Sequence, residues 1–380
     1  MLYLTLKNVD MLKNNKTCII YNYAQHYRAG IFKLLDKELE CDFFFGNKMG
    51  DVKKMDLNML NNPVKELNNI KILSNIYWQK EALNLIFKKK YDKYIILGEY
   101  YCVSTWMILI LSYFSNKKVY LWTHGWYGNE NIIKKLIKKL FFNLSDGILL
   151  YGNYAKNLMI NEGFDQSKLH VIYNSLDYEL QINIRDSLST STIFQDYFKN
   201  NNKTLIFIGR LTKVKNLELL LEVQANLLKK NMHYNIVIVG DGDERERLEC
   251  LMNKMKLSNV WFYGPTYDEK EIGNLIFNSH LCVSPGNVGL TSLHSMVYGT
   301  PVCTNNLFTE QMPEFEAIDF PRTGFFFEKN NIESLSSSIS DWSLNVNSRD
   351  LIRNFCYEKI DKFYNPKFQL SVIKKVLNEN

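Results

Sequence analysis

A turn in the second half of the chain carries two cations. Gly209-Arg210-Leu211 ends an apolar run, and Lys215 follows five residues after Arg210, just before a helical pattern that opens at Leu217. A guanidinium and an ammonium at this spacing can hold a pyrophosphate between them. The free N–H groups and the dipole of the following helix add to that attraction. The turn therefore predicts a phosphate clamp, with a solvated basic loop as the alternative.

A glycine-containing loop further along the chain is a second candidate for phosphate binding. The run from Ser284 to Leu290 joins an apolar strand pattern to a short helical pattern over Thr291–Tyr298. Glycines let backbone N–H groups approach a phosphate closely. An ordinary strand-to-helix turn is the alternative. The residues expected to contact the ligand are Asn287, Val288, Gly289 and Leu290.

The acidic segment Asp241-Gly242-Asp243 has the spacing of a metal-binding motif. It lies between a predicted strand and a predicted helix, where acidic side chains cap the first turn and complement the helix dipole. We interpret it as the start of a helix. The sequence therefore predicts neither a metal site nor a bound cofactor.

Short apolar runs alternate with helical patterns along the whole chain. The runs are apolar throughout, which is typical of parallel strands buried on both faces. In the first half, helical patterns are expected over Tyr27–Leu39, Trp78–Lys89 and Ser104–Phe114. Strand–helix alternation predicts doubly wound α/β sheets, whose ligands bind at the carboxyl ends of the strands.

A polar stretch from Asp177 to Lys203 divides the chain into two such halves. We expect one Rossmann-like domain over residues 1–176 and a second over residues 177–362, followed by a short C-terminal segment. Two α/β domains of this kind leave a cleft between them. That cleft is the expected functional site.

The amino-acid composition limits the classes of function that the protein can have. The 380 residues are 46% hydrophobic, enough for a core in each domain, and the net charge of +6 suits an anionic partner rather than a dedicated nucleic-acid binder. Seven scattered cysteines indicate reduced thiols in a cytosolic protein. The longest apolar run, around Trp106–Tyr113, is shorter than the roughly 20 residues of a membrane span. We expect a cytoplasmic protein, free or peripheral on the inner face of the cell membrane.

The segment Glu130–Phe142 predicts a helix with two unlike faces. One face carries Ile132, Ile133, Leu136, Ile137, Leu140 and Phe141, and the other carries Lys134, Lys135, Lys138 and Lys139. A surface helix that buries its apolar stripe in the sheet explains this pattern. A helix lying on an anionic membrane explains it equally well.

Taken in order, the motifs of the second half resemble those of family-4 glycosyltransferases of the GT-B fold. The shared pattern begins with the turn at 209–215 and the strand end Val239-Gly240. It continues through the loop Ser284–Leu290 to Gly299-Thr300-Pro301-Val302. It ends with Met312-Pro313-Glu314 and Thr323-Gly324. The resemblance covers roughly residues 204–327. It implies two Rossmann-like domains facing a cleft, with a C-terminal helix over residues 363–380 that returns to the N-terminal domain.

The resemblance also implies a function. Such an enzyme moves a sugar from a nucleotide-sugar donor to a glycan or lipid-linked acceptor in bacterial surface polysaccharide assembly, with retention of configuration and without a metal. Arg210 and Lys215 would stabilise the leaving diphosphate. Gly209 and the loop residues Asn287–Leu290 would bind the donor. His124, at the end of an apolar run, matches a histidine that the family places near the donor sugar. A capping or core histidine is the alternative.

A turn near the N-terminus, Ala24–Phe32, resembles the opening of many bacterial glycosyltransferases, without their proline. This resemblance implies that His26, Tyr27 and Arg28 lie on the acceptor side. Trp126 is a further acceptor-side candidate, because its ring can pack on a sugar face, although it can also fill the core.

The chain departs from the family at two positions. Family members carry two glutamates eight residues apart, one at the donor sugar and one at the ribose, and these align with Gly286 and His294. Gly286 offers no side chain, whereas His294 can hydrogen-bond a hydroxyl. Glu314 is expected to compensate, with Glu310 and Glu316 as alternatives. Two other functions stay open: a sugar-nucleotide epimerase on the same fold, and a nucleotide- or glycan-binding protein without turnover.

Overall fold

The computed structural model of the protein describes residues 16–48, 50, 52–345 and 348–379. Within these ranges the chain forms two parallel β-sheets, one in each half, with helices on their faces. The prediction of two Rossmann-like α/β domains is confirmed. Residues 1–15 of the expected N-terminal domain lie outside the described residues.

The N-terminal domain is built on a seven-stranded parallel sheet beside a two-stranded hairpin. Its strands are β1 (Lys16–Tyr21), β2 (Cys41–Gly46), β3 (Val64–Leu67), β4 (Asn69–Leu73), β5 (Ile76–Gln79), β6 (Tyr91–Leu97), β7 (Lys118–Thr123), β8 (Gly147–Leu150) and β9 (Leu169–Val171). Its helices are α1 (Ala29–Glu38), α2 (Val103–Tyr113), α3 (Ile132–Asn143) and α4 (Asn153–Asn161). The sheet order is β3-β2-β1-β6-β7-β8-β9, and β4 pairs only with β5.

The C-terminal domain has a six-stranded parallel sheet in the order β12-β11-β10-β13-β14-β15. The strands are β10 (Lys203–Ile208), β11 (Tyr234–Val239), β12 (Val260–Gly264), β13 (Leu281–Ser284), β14 (Val302–Asn305) and β15 (Gly324–Phe327). The helices that follow the N-terminal domain are α5 (Tyr178–Arg185), α6 (Ile193–Phe198), α7 (Leu217–Lys229), α8 (Arg245–Lys254), α9 (Glu269–Asn278), α10 (Thr291–Val297), α11 (Ile332–Asn345), α12 (Arg349–Phe363) and α13 (Pro366–Glu379). The polar stretch before β10 thus contains two helices, α5 and α6.

Helix α13 returns to the N-terminal domain. Leu370, Ile373 and Val376 are buried in the core that also contains α1 and β1, and Lys374 forms a 2.9 Å ion pair with Glu38 of α1. The chain therefore crosses between the domains twice, before α5 and again before α13.

The predicted helix over Trp78–Lys89 is wrong. Strand β5 continues to Gln79, and a 3-10 segment over Ala82–Phe87 follows it. Glu81 between them has a φ of +71°, which a helix of L-residues does not accommodate. The apolar spacing that suggested a helix instead lets Ala82, Leu85 and Ile86 reach the core.

Helix α3 is oriented opposite to the surface-helix prediction. Ile132, Ile133, Leu136 and Leu140 are 77%, 70%, 60% and 66% exposed. By contrast, Lys138 of the lysine face is only 3% exposed. The expectation that the apolar stripe is buried in the sheet is therefore wrong, and the helix is anchored by its lysine side and by Phe141 and Phe142.

A buried ion pair accounts for this orientation. Lys138 Nζ lies 2.6 Å from Glu130 Oε1 and donates a 2.7 Å hydrogen bond to the Gly125 carbonyl. Glu130 also accepts hydrogen bonds from the N–H groups of Tyr127 and Gly128. Lys138 thus connects α3 to the loop that follows β7.

We expect Lys138→Met to destabilise the protein far more than Lys135→Met. Removing Lys138 leaves the Glu130 carboxylate buried without its cation, which costs about 3–5 kcal/mol. Lys135 pairs with Glu162 at a half-exposed position, where loss of the pair costs about 0–1 kcal/mol. Urea unfolding of the two variants measures the difference. Equal losses in the free energy of unfolding would contradict the anchoring role of Lys138.

Candidate active site

The turn after β10 is held by the turn after β11. Leu211 N–H donates to the Asp241 carbonyl at 2.8 Å, and Gly209 N–H donates to the Val239 carbonyl at 3.0 Å. A side chain at Gly242 would place its Cβ 2.5 Å from the Leu211 carbonyl oxygen, so a glycine is required there. The acidic segment is therefore a support for the Arg210 turn. The described residues contain no group of three or more His, Cys, Asp or Glu that could hold a metal ion.

Lys215 is fixed against the glycine-containing loop. Its Nζ donates to the Asn287 carbonyl at 2.7 Å and to Asn287 Oδ1 at 2.8 Å. Burial lowers the pKa of Lys215 to about 8, with Arg210 acting in the same direction and the Glu314 carboxylate opposing it. Arg210 itself is exposed. One cation of the predicted clamp is therefore preorganised, and the other is free to close on a ligand.

The loop after β13 lies directly on the Lys215 turn. Gly286 N–H donates to the Lys215 carbonyl at 2.9 Å, and Asn287 N–H donates to the Val214 carbonyl at 3.3 Å. Val288 N–H donates to Gln311 Oε1 at 2.9 Å. The Asn287 and Val288 amides are thus engaged within the protein, which corrects the expectation that they face a phosphate. Gly289 follows them with a φ of +52°.

Gly286 occupies the position at which the resemblance to family-4 glycosyltransferases predicts a glutamate, and the structure shows why a glycine stands there. A Cβ at this position would lie 1.9 Å from the Val214 carbonyl oxygen and 2.7 Å from the Lys215 backbone. No side chain fits between the loop and the turn. The backbone contact therefore excludes a carboxylate at position 286.

His294, at the second aligned position, is paired within the domain. Its Nε2 lies 2.9 Å from Glu269 Oε1, which also accepts hydrogen bonds from Gln181 and Tyr298. Although burial opposes the shift, these contacts lower the pKa of Glu269 to about 2. This pairing occupies Nε2, so a ligand hydroxyl would have to be bound by Nδ1.

Of the three candidate glutamates, only Glu314 faces the clamp. It is buried, its Oε1 accepts a 2.6 Å hydrogen bond from Asn174, and its Oε2 has no hydrogen-bond partner within the described residues. Burial raises the pKa of Glu314, while Arg28 and Lys215 act to lower it. Glu314 therefore interacts electrostatically with cations of both domains. Glu310 instead pairs with Lys329.

Glu316, the third candidate, joins the two domains. Its carboxylate accepts hydrogen bonds of 2.8 and 2.7 Å from the N–H groups of Asn153 and Tyr154 at the start of α4. A carboxylate at a helix N-terminus complements the helix dipole. This contact leaves Glu314 as the carboxylate available in the cleft.

Arg28, Tyr27 and His124 line one pocket of about 270 Å³ in the N-terminal domain. The Arg28 guanidinium lies 5.2–5.6 Å from the ring centroids of Tyr21, Trp122 and Tyr151. Its Nε and Nη1 atoms are buried and have no hydrogen-bond partner in the described part of the chain. Buried N–H groups of a guanidinium without hydrogen-bond partners are costly unless a ligand supplies them.

His124 is neutral in this pocket. Burial, together with the charges of Arg28 and Lys138, lowers its pKa to about 3. Its ring lies 4.8 Å from that of Tyr151, and its Nδ1 has no partner in the described residues. A neutral imidazole can donate from one nitrogen and accept at the other, which suits binding to a sugar hydroxyl.

The structure does not bring His26 and Trp126 into this pocket. His26 is exposed and its Nδ1 lies 3.1 Å from the Lys53 carbonyl. Trp126 is 2% exposed and packs on Phe164 in the core, with Lys138 Nζ 4.7 Å from its ring. Trp126 therefore fills the core, which corrects its acceptor-side assignment.

Sequence reasoning missed Glu99 on the opposite wall of the pocket. It follows β6 directly, and its carboxylate accepts hydrogen bonds from Asn22 at 3.0 Å and from Tyr77 at 2.7 Å. Burial raises the pKa of Glu99. The available signal was its position: a carboxylate just after a buried strand lies at the ligand-binding edge of a parallel sheet.

Comparisons with known proteins show which proteins the chain is similar to. Residues 189–358 match the family model described as glycosyl transferases group 1. An uncharacterized 41.2 kDa protein in the cps region of Klebsiella pneumoniae is 24% identical over 315 residues, covering 77% of this chain and 81% of that protein. A glycogen synthase of Petrotoga mobilis is 27% identical over 293 residues, covering 66% of this chain and 59% of that protein. Residues 189–358 therefore match a group 1 glycosyl transferase domain, and these similarities support a glycosyltransferase activity.

Solved structures share the fold of this glycosyltransferase over nearly its whole length. HepE from Anabaena, crystallised in complex with UDP, superimposes with a TM-score of 0.72 at 14% identity, covering 96% of this chain and all of that one. The apo form of the lipopolysaccharide outer core galactosyltransferase WaaB gives a TM-score of 0.67 at 16% identity, covering 96% and 99%. The fold is therefore GT-B.

We expect Gly286→Ala to disorganise the clamp. The added methyl group overlaps the Val214 carbonyl oxygen, so the 213–216 turn must move and Lys215 must leave Asn287. Thermal unfolding should shift to lower temperature, and UDP binding, measured by calorimetry, should be lost. A Gly286→Ala variant with wild-type UDP affinity would contradict the role given to this contact.

Proposed function

We propose that this glycosyltransferase transfers a sugar from a nucleotide diphosphate sugar to a glycan or lipid-linked acceptor in the assembly of a bacterial surface polysaccharide. The observation that carries the proposal is that the Lys215 ammonium is held on Asn287 and interacts electrostatically with Arg210 and Glu314, and Glu314 in turn with Arg28. The UDP complex of HepE and the cps region of the Klebsiella relative support the donor class and the pathway.

In this proposal the diphosphate leaves against protein cations. Lys215 and Arg210 stabilise the negative charge that develops as the bond between the sugar C1 and the phosphate oxygen breaks. Glu314, which lies between Lys215 and Arg28, keeps both cations oriented toward the cleft. We propose that no metal is required, because these cations already neutralise the leaving group.

The acceptor is proposed to bind in the Arg28 pocket. Its hydroxyl oxygen bonds to C1, and its proton passes to the departing phosphate, so the new bond forms on the face that the phosphate leaves. His124 binds a hydroxyl of the donor sugar. The product should therefore keep the anomeric configuration of the donor. Comparison of the two configurations by NMR tests this expectation.

Two alternatives make different products. An epimerase would convert the donor into an isomeric sugar nucleotide without needing an acceptor, and a binding protein would leave the donor unchanged. Incubation with a panel of nucleotide sugars, with and without lipid extract, separates them. Acceptor-dependent release of nucleoside diphosphate is the result expected here.

Arg210→Ala should lower kcat by about 10²–10³-fold, equivalent to ~3–4 kcal/mol, as does the loss of a donor to a developing oxyanion. The matched control is Lys213→Ala, which removes an exposed cation from the same turn and should leave kcat within about twofold. Assays are run in EDTA, in which the wild type should remain fully active. Near-wild-type turnover of Arg210→Ala, or loss of wild-type activity in EDTA, would contradict the proposal.

The affinity for UDP should fall above pH 8. With a pKa of about 8, Lys215 is protonated below that pH, and a bound diphosphate raises its pKa further. Affinity is therefore full below pH 8 and falls by about tenfold per pH unit above it, until the pKa of the complex is reached. Lys215→Arg, whose charge persists, should flatten the profile. Calorimetric titrations with UDP from pH 7 to 9.5 measure how the affinity depends on pH. Identical profiles for the wild type and Lys215→Arg would exclude Lys215 as the phosphate contact.

We also propose that the exposed face of α3 binds an anionic membrane surface. This α3 apolar face consists of Ile132, Ile133, Leu136, Ile137 and Leu140. Lys134, Lys135 and Lys139 border it, and α2, which meets α3 through Trp106 and Phe141, adds the exposed Tyr113 and Phe114. Apolar side chains flanked by lysines match the acyl boundary and the headgroups of such a membrane. In the described residues, no helix has both the length and the apolar character of a membrane span.

Leu136→Ser/Leu140→Ser should weaken binding to phosphatidylglycerol vesicles at least tenfold, because each inserted leucine contributes about 1.5–3 kcal/mol. The matched control is Leu180→Ser/Leu344→Ser, which changes two exposed leucines of the C-terminal domain. Vesicle sedimentation measures both variants. A wild type that does not sediment, or that forms a dimer which the α3 double variant breaks, would contradict the membrane proposal.

A further inference from the structure

A second cavity, of about 230 Å³, lies at the opposite edge of the C-terminal sheet. Lys203 is the first residue of β10, and His280 directly precedes β13; both line the cavity. The Arg210 turn follows the other end of β10. Six residues at ~3.3 Å each separate the two edges by about 20 Å. The cavity is therefore distinct from the cleft.

Among the described residues, basic side chains line the cavity and no carboxylate does. Lys203, His280, Arg349 and Arg353 contribute to its wall. Burial, together with Lys203 and Arg349, lowers the pKa of His280 to about 4. Burial and the neighbouring Arg353 lower the pKa of Arg349 to about 10. Burial is the main cause of both shifts, and the neighbouring cations act in the same direction.

Two of these groups have a free donor position. Arg353 Nε and His280 Nε2 are buried and lack hydrogen-bond partners in the described ranges. Arg353 is held over the Phe277 ring at 3.8 Å, and it pairs with the exposed Asp350. Arg349, in contrast, is satisfied by the carbonyls of Gly299 and Ser279. Arg353 and His280 thus remain for a ligand, while Arg349 shapes the wall.

The remaining wall is polar. Thr190, Gln195 and Asn202 line it with hydroxyl and amide groups, which suit hydroxyls of a ligand. The volume of about 230 Å³ suits a ligand smaller than a nucleotide sugar.

We propose that this cavity binds the phosphate monoester of a small polyhydroxylated molecule. The phosphate lies against Arg353, His280 and Lys203, and the hydroxyls face the amide wall. This site is independent of the donor site, because none of its residues belongs to the cleft.

Calorimetry on the full-length protein tests the proposal, with glucose 6-phosphate, inorganic phosphate and glucose as probes. Glucose 6-phosphate should bind, inorganic phosphate should bind at least fivefold more weakly, and glucose should not bind. Arg210→Ala should leave the affinity within twofold, which separates this site from the clamp.

Arg353→Gln and Lys203→Gln should each weaken glucose 6-phosphate binding at least tenfold; Lys203 is exposed, so its variant will fold. The matched control is Arg322→Gln, an arginine that also lies on a phenylalanine ring and pairs with an exposed glutamate, and it should bind like the wild type. Three outcomes would overturn the proposal. These are no binding at millimolar concentration, binding lost in Arg210→Ala but kept in Lys203→Gln, or equal affinity for phosphate and its ester.

Discussion

The candidate donor site depends on one backbone approach, between Gly286 and the turn at Val214 and Lys215. The missing side chain lets the loop after β13 rest on the turn after β10, and two backbone hydrogen bonds fix the contact. Lys215 can then reach Asn287 and lose part of its hydration, which lowers its pKa. The same approach excludes a glutamate at position 286. The chain thus combines a tightly held cation with a carboxylate, Glu314, that comes from a different segment.

The N-terminal side of the cleft depends on a buried ion pair. The buried pair of Lys138 and Glu130 holds the loop that carries His124, and it draws the lysine side of α3 inward. As a consequence the apolar residues of α3 face outward. One ion pair therefore sets both the geometry of the Arg28 pocket and the character of the surface next to it.

Much of the fold could be predicted from the sequence, because parallel strands buried on both faces leave continuous apolar runs such as those of β7 and β10. Strand ends and helix starts also have local sequence signals. These signals made it possible to predict the Arg210 turn, Lys215 and the structural role of Asp241. The orientation of α3 could not be predicted, because the sequence of a two-faced helix does not reveal which face is buried. That choice was made by Glu130, a partner outside the helix. Arg28 and Glu99 likewise gain their setting from rings and amides distant in sequence.

The central claim is that Lys215 and Arg210 receive the diphosphate of the donor, and a crystal structure of the protein with UDP tests it most directly. The account predicts that Lys215 Nζ exchanges Asn287 for a phosphate oxygen at hydrogen-bond distance, that Arg210 closes on the same diphosphate, and that Glu314 stays between Lys215 and Arg28. A diphosphate bound elsewhere, with Lys215 still hydrogen-bonded to Asn287 and Arg210 in solvent, would contradict it.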